Sequence, residues 1–575
     1  MVSVKFKNEN ITIEVKQGTK LSECIRIANL SIETPCNCMG LCGKCKVRVV
    51  GEMYPPSLLE QGFILNEENI RLACMAEVLG DVEVQLINTN NKLKTINNGY
   101  SIDVTINNQI KKIKLPEVDN TSPIPYIETI DMNVNSIPVF EKIAAGRRED
   151  HSEIYGVCFE NNIIDIVNKT DIILGVAVDI GTTGISAYLV NLETGEVINK
   201  NSYLNPQTEY GGDVLSRISF AINNEDGTRV LRDSIVNKIN EMVKELINKN
   251  YELDNVYRIM IAANTTMLHF FAGVNPYSIA KAPYRAIFLN KMDIRAREIG
   301  ISINRKGIVT LLPSASAYVG ADILAGIAAT DFHKKKNSCI FIDIGTNGEI
   351  VAIAQGKMAA TSTAAGPALE GMNISCGLRA VTGAIDSFNI DEDYNISFTT
   401  IDGGEAKGIC GSALIDIAAN MVVKEIVHKS GRFNKNLNEK ISSRVRDKKF
   451  YITDDIYISQ KDIRQIQLAK GAISAGISML LKEVNISLEM VEEVVIAGAF
   501  GYHINEDSIK TIGLIPKGFK GRITFVGNSS IEGARLALIN KDILETIIGF
   551  KNKIEIVELS TKDEFQDYFV EALSF

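Results

Sequence analysis

Four of the ten cysteines in this 575-residue chain are arranged for metal chemistry. Cys36, Cys42 and Cys45 read C-x5-C-x2-C, and Cys74 follows with 28 residues between it and the third. Three thiolates from one short loop and a fourth from afar can wrap two irons. This is the ligand logic of a [2Fe–2S] cluster, close to the plant-type C-x4-C-x2-C…C spacing with one residue added to the first gap. Gly40 and Gly43 fit a loop that must turn tightly around such a group. A centre of this kind passes single electrons.

Other uses of these thiols fit less well. Ten cysteines in a chain of this length are too sparse for a disulfide framework, and a structural zinc site usually brings two C-x2-C pairs where only one is present. Cys38-x3-Cys42-x2-Cys45 also spells the cluster triad of radical S-adenosylmethionine enzymes, which would leave Cys36 and Cys74 idle in a chain without a repeating barrel pattern. Cys36 and Cys38 both remain candidates for the first ligand. Cys24, Cys158, Cys339, Cys376 and Cys410 are scattered and read as small buried hydrophobes.

A second chemistry starts at residue 174. LGVAVDIGTTGISAYLVNLETGEVI is an apolar strand, a tight Asp-Ile-Gly-Thr-Thr-Gly turn and a second strand. The plan returns in CIFIDIGTNGEIVAIAQGKMAAT, so that Asp179 and Asp343 open equivalent loops 164 residues apart. That is an internal repeat rather than a chance motif. Each turn offers small residues, hydroxyls and backbone N–H groups, a nest suited to phosphate oxygens. Two nests facing one another would grip a polyphosphate, with Asp179 and Asp343 placed to reach a Mg²⁺. VEEVVIAGAFG adds a buried strand ending in Gly498, Phe500 and Gly501, where a nucleoside could approach the backbone. Neither G-x4-G-K-[ST] nor G-x-G-x-x-G is present, so P-loop and Rossmann readings fail.

The elements that position these residues follow from patterning. VSVKF and ITIEV alternate around Asn8-Glu9-Asn10, a hairpin signal. Leu21 to Leu30 has helical spacing, Lys46–Val50 and 82–87 read as strands, and residues 88–98 turn polar. The expected division is 1–89 for the cysteine domain, 90–98 for a linker, 99–171 for a small α+β spacer with a helix near 138–146, and 172–575 for the repeat-bearing domain. Several domains suit the length. A net charge of −9 argues against nucleic acid, no apolar run approaches the roughly 20 residues of a membrane span, and no signal-peptide core is visible. The expected compartment is the cytoplasm. His269, in an apolar helix, reads as a core residue. Asp213 and Asp322 lie in Gly-flanked turns, with helix capping favoured slightly over a place in the cleft.

The paired Asp-Ile-Gly-Thr loops and the Gly498–Gly501 motif resemble the two phosphate motifs and the adenosine motif of the actin, hexokinase and heat-shock-70 ATPase superfamily. With the cysteine domain in front, the whole chain resembles the reductive activators of corrinoid proteins, through runs such as NPQTEYGGDVLSRI, ANTTMLHFFAG, STAAGPALEGMNISCGLRAVTGAID and GNSSIEGARLAL. Asn37 and Cys38 stand where that family has small residues. The resemblance implies a multidomain α/β protein: a β-grasp [2Fe–2S] ferredoxin domain, a small spacer, and a duplicated, ribonuclease H-like ATPase domain of the actin type. It implies that Cys36, Cys42, Cys45 and Cys74 hold one cluster. It further assigns Asp179, Gly181, Thr182 and Thr183 to the first phosphate loop, Asp343, Gly345, Thr346, Asn347 and Gly348 to the second, and Gly498, Phe500 and Gly501 to adenosine. Glu349 would orient a water or a metal's water. The implied activity is ATP- and Mg²⁺-dependent transfer of one electron to the inactive Co(II) form of a corrinoid protein, fed by a low-potential cellular donor. The resemblance leaves room for a homodimer. The competing functions are a nucleotide-regulated ferredoxin for another low-potential enzyme and an ATP-binding protein akin to a metabolite kinase.

Overall fold

The computed structural model describes residues 1–28, 30, 32, 34, 38, 40, 43–64, 69–87, 100, 102–117, 121, 123–146, 153–498 and 504–575. Cys36, Cys42, the 90–98 linker, Phe500 and Gly501 lie outside the described residues.

The N-terminal unit is a five-stranded sheet in the order Ile11–Val15, Val2–Phe6, Val78–Leu86, Lys46–Met53, Ile70–Leu72. Val2–Phe6 runs parallel to Val78–Leu86 and the other pairs are antiparallel, which is the β-grasp arrangement. Alternation in VSVKF puts Val4 and Phe6 inward, both fully buried. The helix Leu21–Ile27 covers that face with Leu21, Cys24 and Ile25. Burial pushes the Cys24 thiol up to about 11, so it is a core residue and not a thiolate. The small spacer is a three-stranded sheet, Ile110–Lys114, Tyr155–Phe159 and Asn162–Val167, with the helix Ile137–Gly146 against it.

The remainder forms two lobes on one plan. In the first, strands Val197–Leu204, Gly184–Asn191, Leu174–Ile180, Val256–Ala263 and Ile308–Leu311 lie side by side in that order, with Met292–Arg295 at the edge. In the second the order is Lys357–Thr363, Gly348–Ala354, Cys339–Ile344, Glu493–Ala497, Arg522–Gly527, with Ile554–Ile556 beyond the first of these. Both are the ribonuclease H-like 3-2-1-4-5 order, an antiparallel meander joined to parallel strands. Asp179 pairs with Ala262 on its parallel neighbour, and Asp343 with Ala497 on its own. The sequence repeat is therefore a structural one in matched register. The central strands are buried on both faces, which explains their unbroken apolar runs. Two helices seal the lobes together: Ser529–Ile539 crosses Ala321–Ala329 so closely that a Cβ on Gly533 would stand 2.1 Å from the Ala325 carbonyl oxygen. Among the described residues no helix is long and apolar enough to cross a membrane.

Candidate functional site

The packing of one lobe against the other brings both Asp-Ile-Gly-Thr turns face to face. Thr183 Oγ1 of the first turn lies 3.3 Å from Thr346 Oγ1 of the second. Each turn closes on itself, Gly181 N–H donating to the Gly184 carbonyl at 2.9 Å and Gly345 N–H to the Asn347 carbonyl at 3.0 Å. Gly498, with φ at +122°, presses against the second turn: a Cβ there would stand 2.3 Å from the Ile344 carbonyl oxygen and 3.3 Å from Asp343 Oδ1. Only glycine tolerates both that torsion and that approach.

Three asparagines hold the first turn, each by the same device. Asn205, Asn264 and Asn528 each occupy a helix N-cap and accept an amide hydrogen with Oδ1. Their Nδ2 groups are then left to donate to the site: Asn205 to the Gly181 carbonyl at 2.8 Å, Asn264 to Thr182 Oγ1 at 3.1 Å, Asn528 to Asp179 Oδ2 at 2.8 Å. Asparagine is required because it is donor and acceptor at once, whereas aspartate, serving the cap equally well, only accepts. Ser530 donates to the other Asp179 oxygen at 2.8 Å, and the buried guanidinium of Arg217 holds the Thr182 carbonyl. Asn528→Asp should therefore keep its helix cap but set a second carboxylate against Asp179. The expected result is a lower melting temperature and at least about tenfold weaker nucleotide binding by titration calorimetry, whereas unchanged affinity would remove Asp179 from the site.

The floor of the cleft is acidic. Asp343 lies directly across the strand pair from Glu349, so both carboxyls share a face. Asp322, in the first turn of the helix Ala321–Ala329, is close enough to Asp179, Asp343 and Glu349 to perturb each of the latter two and to be perturbed by the first. Glu370, at the end of the short helix Pro367–Glu370, accepts from Thr346 Oγ1 at 3.2 Å and is also bonded to Thr183. Burial raises all of these groups, and repulsion from neighbouring carboxylates adds to it for Glu349, for Asp322, pushed up to about 7, and for Asp343, pushed up to about 8. Among the described residues no three side chains converge closely enough to hold a metal ion alone. That donor set suits Mg²⁺, which is commonly bound by one or two carboxylates completed by phosphate oxygens and water.

The raised values have a sign. Above the ordinary value of 3.8 an unfolded chain loses the Asp322 and Asp343 protons, while the folded chain keeps them to about pH 7 and about pH 8 respectively. Their contribution to stability is complete below the ordinary value of 3.8 and disappears as pH rises through about 7 and 8. Metal- and nucleotide-free protein should melt at falling temperature from pH 5.5 to 8.5, and Asp322→Asn should flatten that slope. A slope identical in the variant would contradict the coupling.

At the other end, Cys45 and Cys74 are both about 99% buried, and their sulfurs lie 3.3 Å apart. Two thiolates sharing one tetrahedral metal lie within about 4 Å of each other, so this pair fits one iron of a cluster. Cys38, Gly40 and Gly43 all have left-handed φ, at +60°, +72° and +67°, the torsions that glycine at two of these positions permits. The buried Arg71–Glu60 pair, bonded twice, ties the strand leading to Cys74 to the short helix Leu58–Gln61.

Some expectations needed revision. The capping reading of Asp322 gives way: Gly320 occupies the N-cap, and the Asp322 carboxyl belongs to the acidic floor. Asp213 does cap, bonded reciprocally with Ser216. His269 is a satisfied core residue, its Nδ1 bonded to the Thr265 carbonyl and its Nε2 accepting from Ile287 N–H. Glu370 and the three asparagines were not singled out in the sequence. Asn264 and Asn528 stand beside small-residue runs, Asn205 directly before Pro206, and Glu370 three residues after Pro367.

Comparison with known proteins agrees with this assembly. Residues 4–79 match the 2Fe–2S iron–sulfur cluster binding domain, 174–335 the RACo middle region, and 337–575 the C-terminal domain of RACo, the ASKHA domain. The corrinoid activation enzyme RamQ of Eubacterium limosum is 28% identical over 97% of this chain and 96% of its own. The reductase of the Co(II) methylated amine-specific corrinoid protein of Methanosarcina barkeri is 26% identical over 70% of this chain and 77% of its own. The solved structure of a reductive activator for corrinoid, iron–sulfur protein superimposes with a TM-score of 0.76, at 29% identity, over 100% of this chain and 98% of that one. With a ferredoxin domain followed by both RACo regions in order, the chain belongs to the RACo-type family of reductive activators of corrinoid proteins.

Proposed function

We propose that this chain spends ATP in the cleft between Thr183 and Thr346 to drive one electron onto the inactive Co(II) form of a corrinoid protein, restoring Co(I) for methyl transfer. The observation that carries the proposal is the convergence of two duplicated phosphate turns and an acidic floor in a chain that also buries Cys45 and Cys74 as a pair.

In this reading Gly181, Thr182, Thr183, Gly345, Thr346, Asn347 and Gly348 cradle the phosphates. Asp179 and Asp343 are the Mg²⁺-facing carboxylates, Glu349 orients the attacking water or a metal-bound one, and Gly498, Phe500 and Gly501 back the adenosine. Cys36, Cys42, Cys45 and Cys74 would hold a [2Fe–2S] cluster, which supplies a one-electron carrier when bound. Asn528 and Ser530 keep Asp179 aimed into the cleft, and Asn264 fixes the Thr182 hydroxyl.

Energetics gives the reason for joining the two halves. The Co(II)/Co(I) couple lies below the roughly −400 mV of plant-type clusters. Each ~59 mV uphill costs one electron about 1.4 kcal/mol, so a gap of a few hundred millivolts needs an input on the scale of ATP. Nucleotide can contribute only through different affinities of its states for the partner. The electron paramagnetic resonance signal of protein reduced by a low-potential donor should be that of one [2Fe–2S] centre, and ATP hydrolysis should respond to the Co(II) partner. A [4Fe–4S] signal, or hydrolysis indifferent to the partner, would contradict the reading.

A further inference from the structure

Glu370 touches both phosphate turns at once. Its Oε1 accepts from Thr346 Oγ1 at 3.2 Å, and its carboxyl is bonded to Thr183 as well. A Cβ on Gly345 would stand 3.4 Å from the same oxygen. The carboxyl thus lies at the seam where Thr183 and Thr346 come within 3.3 Å of each other. Its backbone is held there. Pro367 opens the turn with a fixed φ, and Gly371 N–H and Met372 N–H close it on the Ala368 and Pro367 carbonyls at 3.0 and 3.1 Å. Leu369 is fully buried. A Cβ on Gly411 would stand 2.0 Å from the Leu369 carbonyl oxygen, and one on Gly371 2.6 Å from that of Leu378. The turn is wedged in the second lobe, and a carboxyl carried on it and bonded twice is preorganised.

Hydrogen-bond valence decides what else this seam can take. A threonine hydroxyl has one proton to give, and an ionised carboxylate only accepts. Thr346 and Thr183 both spend their protons on Glu370, so their oxygens have only lone pairs left to offer. Phosphate oxygens are acceptors too, and the backbone N–H groups of the turns serve those. The two hydroxyls, and a carboxylate with about two of its four acceptor sites unfilled, can hold a donor. Water is the donor that hydrolysis requires. Burial works against the ionised form of Glu370, while the Thr183 bond, the Arg379 charge and the Thr346 bond work for it. Glu349 stands elsewhere, paired across the strands with Asp343 on the floor assigned to Mg²⁺. Resting on the nucleotide-cleft reading, we propose that Glu370 accepts the proton of the attacking water, which Thr183 and Thr346 orient, and that Glu349 serves the metal's water. The water oxygen bonds to the terminal phosphorus as the bond from that phosphorus to the ADP oxygen breaks. The water's proton passes to Glu370 and from there to the released phosphate. Glu370 is a catalytic residue in this step. Thr183 and Thr346 position the water with their hydroxyls and the phosphates with their N–H groups.

The test is phosphate release from ATP by the full, cluster-loaded chain at saturating Mg²⁺, in the presence of an oxidised corrinoid protein. Binding of a non-hydrolysable ATP analogue is measured in parallel by calorimetry. Glu370→Gln keeps the size and an acceptor oxygen of the side chain but cannot take a proton. It should lower kcat at least about 100-fold, the low end of general-base catalysis, with analogue affinity held within about threefold. Glu370→Asp, which keeps a proton acceptor, should recover at least about tenfold over the Gln variant. Glu349→Gln should instead raise the Mg²⁺ concentration for half-maximal rate, which Glu370→Gln leaves unchanged. Hydrolysis by Glu370→Gln within about fivefold of wild type overturns the role of Glu370. So does loss of analogue binding in step with hydrolysis, or an Asp variant no better than Gln. An unchanged Mg²⁺ requirement in Glu349→Gln overturns the division between the two carboxylates. A wild-type chain that fails to bind the analogue or to release phosphate overturns the nucleotide-cleft reading itself, and the wild-type controls separate that failure from the others.

Discussion

Asp343→Ala should abolish ATP hydrolysis, by about 100-fold or more, while raising the melting temperature of the nucleotide-free protein at pH 8.5, above the point where Asp343 ionises. Both effects come from one arrangement. Asp343 shares a strand-pair face with Glu349; burial first, then the charges of Asp322, Asp179 and Glu370, keep its proton on to about pH 8, and above that pH its ionised carboxyl repels those neighbours in the empty cleft. Removing it relieves that repulsion. In the proposed loaded cleft the same carboxylate would face the Mg²⁺ and the phosphates, where loss of one well-placed electrostatic group costs about 2.7–4 kcal/mol of barrier. Stability bought at the expense of activity is the usual sign of a functional site. Steady-state hydrolysis and thermal melting on the same preparation decide the matter. If hydrolysis persists, Asp343 is not at the reacting phosphates, and if melting temperature falls with activity, it is a structural residue.

Cys74→Ser should have the complementary outcome, with the visible absorption of the cluster nearly lost and ATP hydrolysis held within about twofold. Cys74 is buried against Cys45 in the ferredoxin core, whereas the two lobes have cores of their own. A serine oxygen is a poorer ligand than a thiolate for a centre that selects soft donors. The lobes therefore keep folding and binding nucleotide when the cluster is lost. Equal loss of both properties would mean that the ferredoxin domain and the lobes do not act as separable modules.

Much of this was legible in the sequence because it is local. The alternation of VSVKF and ITIEV gave the first hairpin, with Asn10 left-handed in its turn. The two Asp-Ile-Gly-Thr copies announced the duplication, and the register that matches Asp179 with Asp343 follows from placing each one residue before its strand ends. Glu370 and Asp322 were harder, since an acidic residue beside small residues looks the same whether it caps a helix or lines a cleft. Only tertiary approach distinguishes them, of Glu370 to Thr346 across 24 residues and of Asp322 to Asp179 on another strand. Asn528 and Ser530 reach Asp179 across 349 and 351 residues, and Lys44 reaches Gly377 across 333. No periodicity or spacing rule carries that information.

The most direct test of ATP-driven corrinoid reduction is the Co(II) absorbance of an oxidised corrinoid protein, mixed with this protein and a low-potential reductant. Conversion to Co(I) on addition of Mg²⁺ and ATP, and not without them, is the predicted result. Conversion at the same rate without nucleotide, or none with any corrinoid partner in its presence, would contradict it.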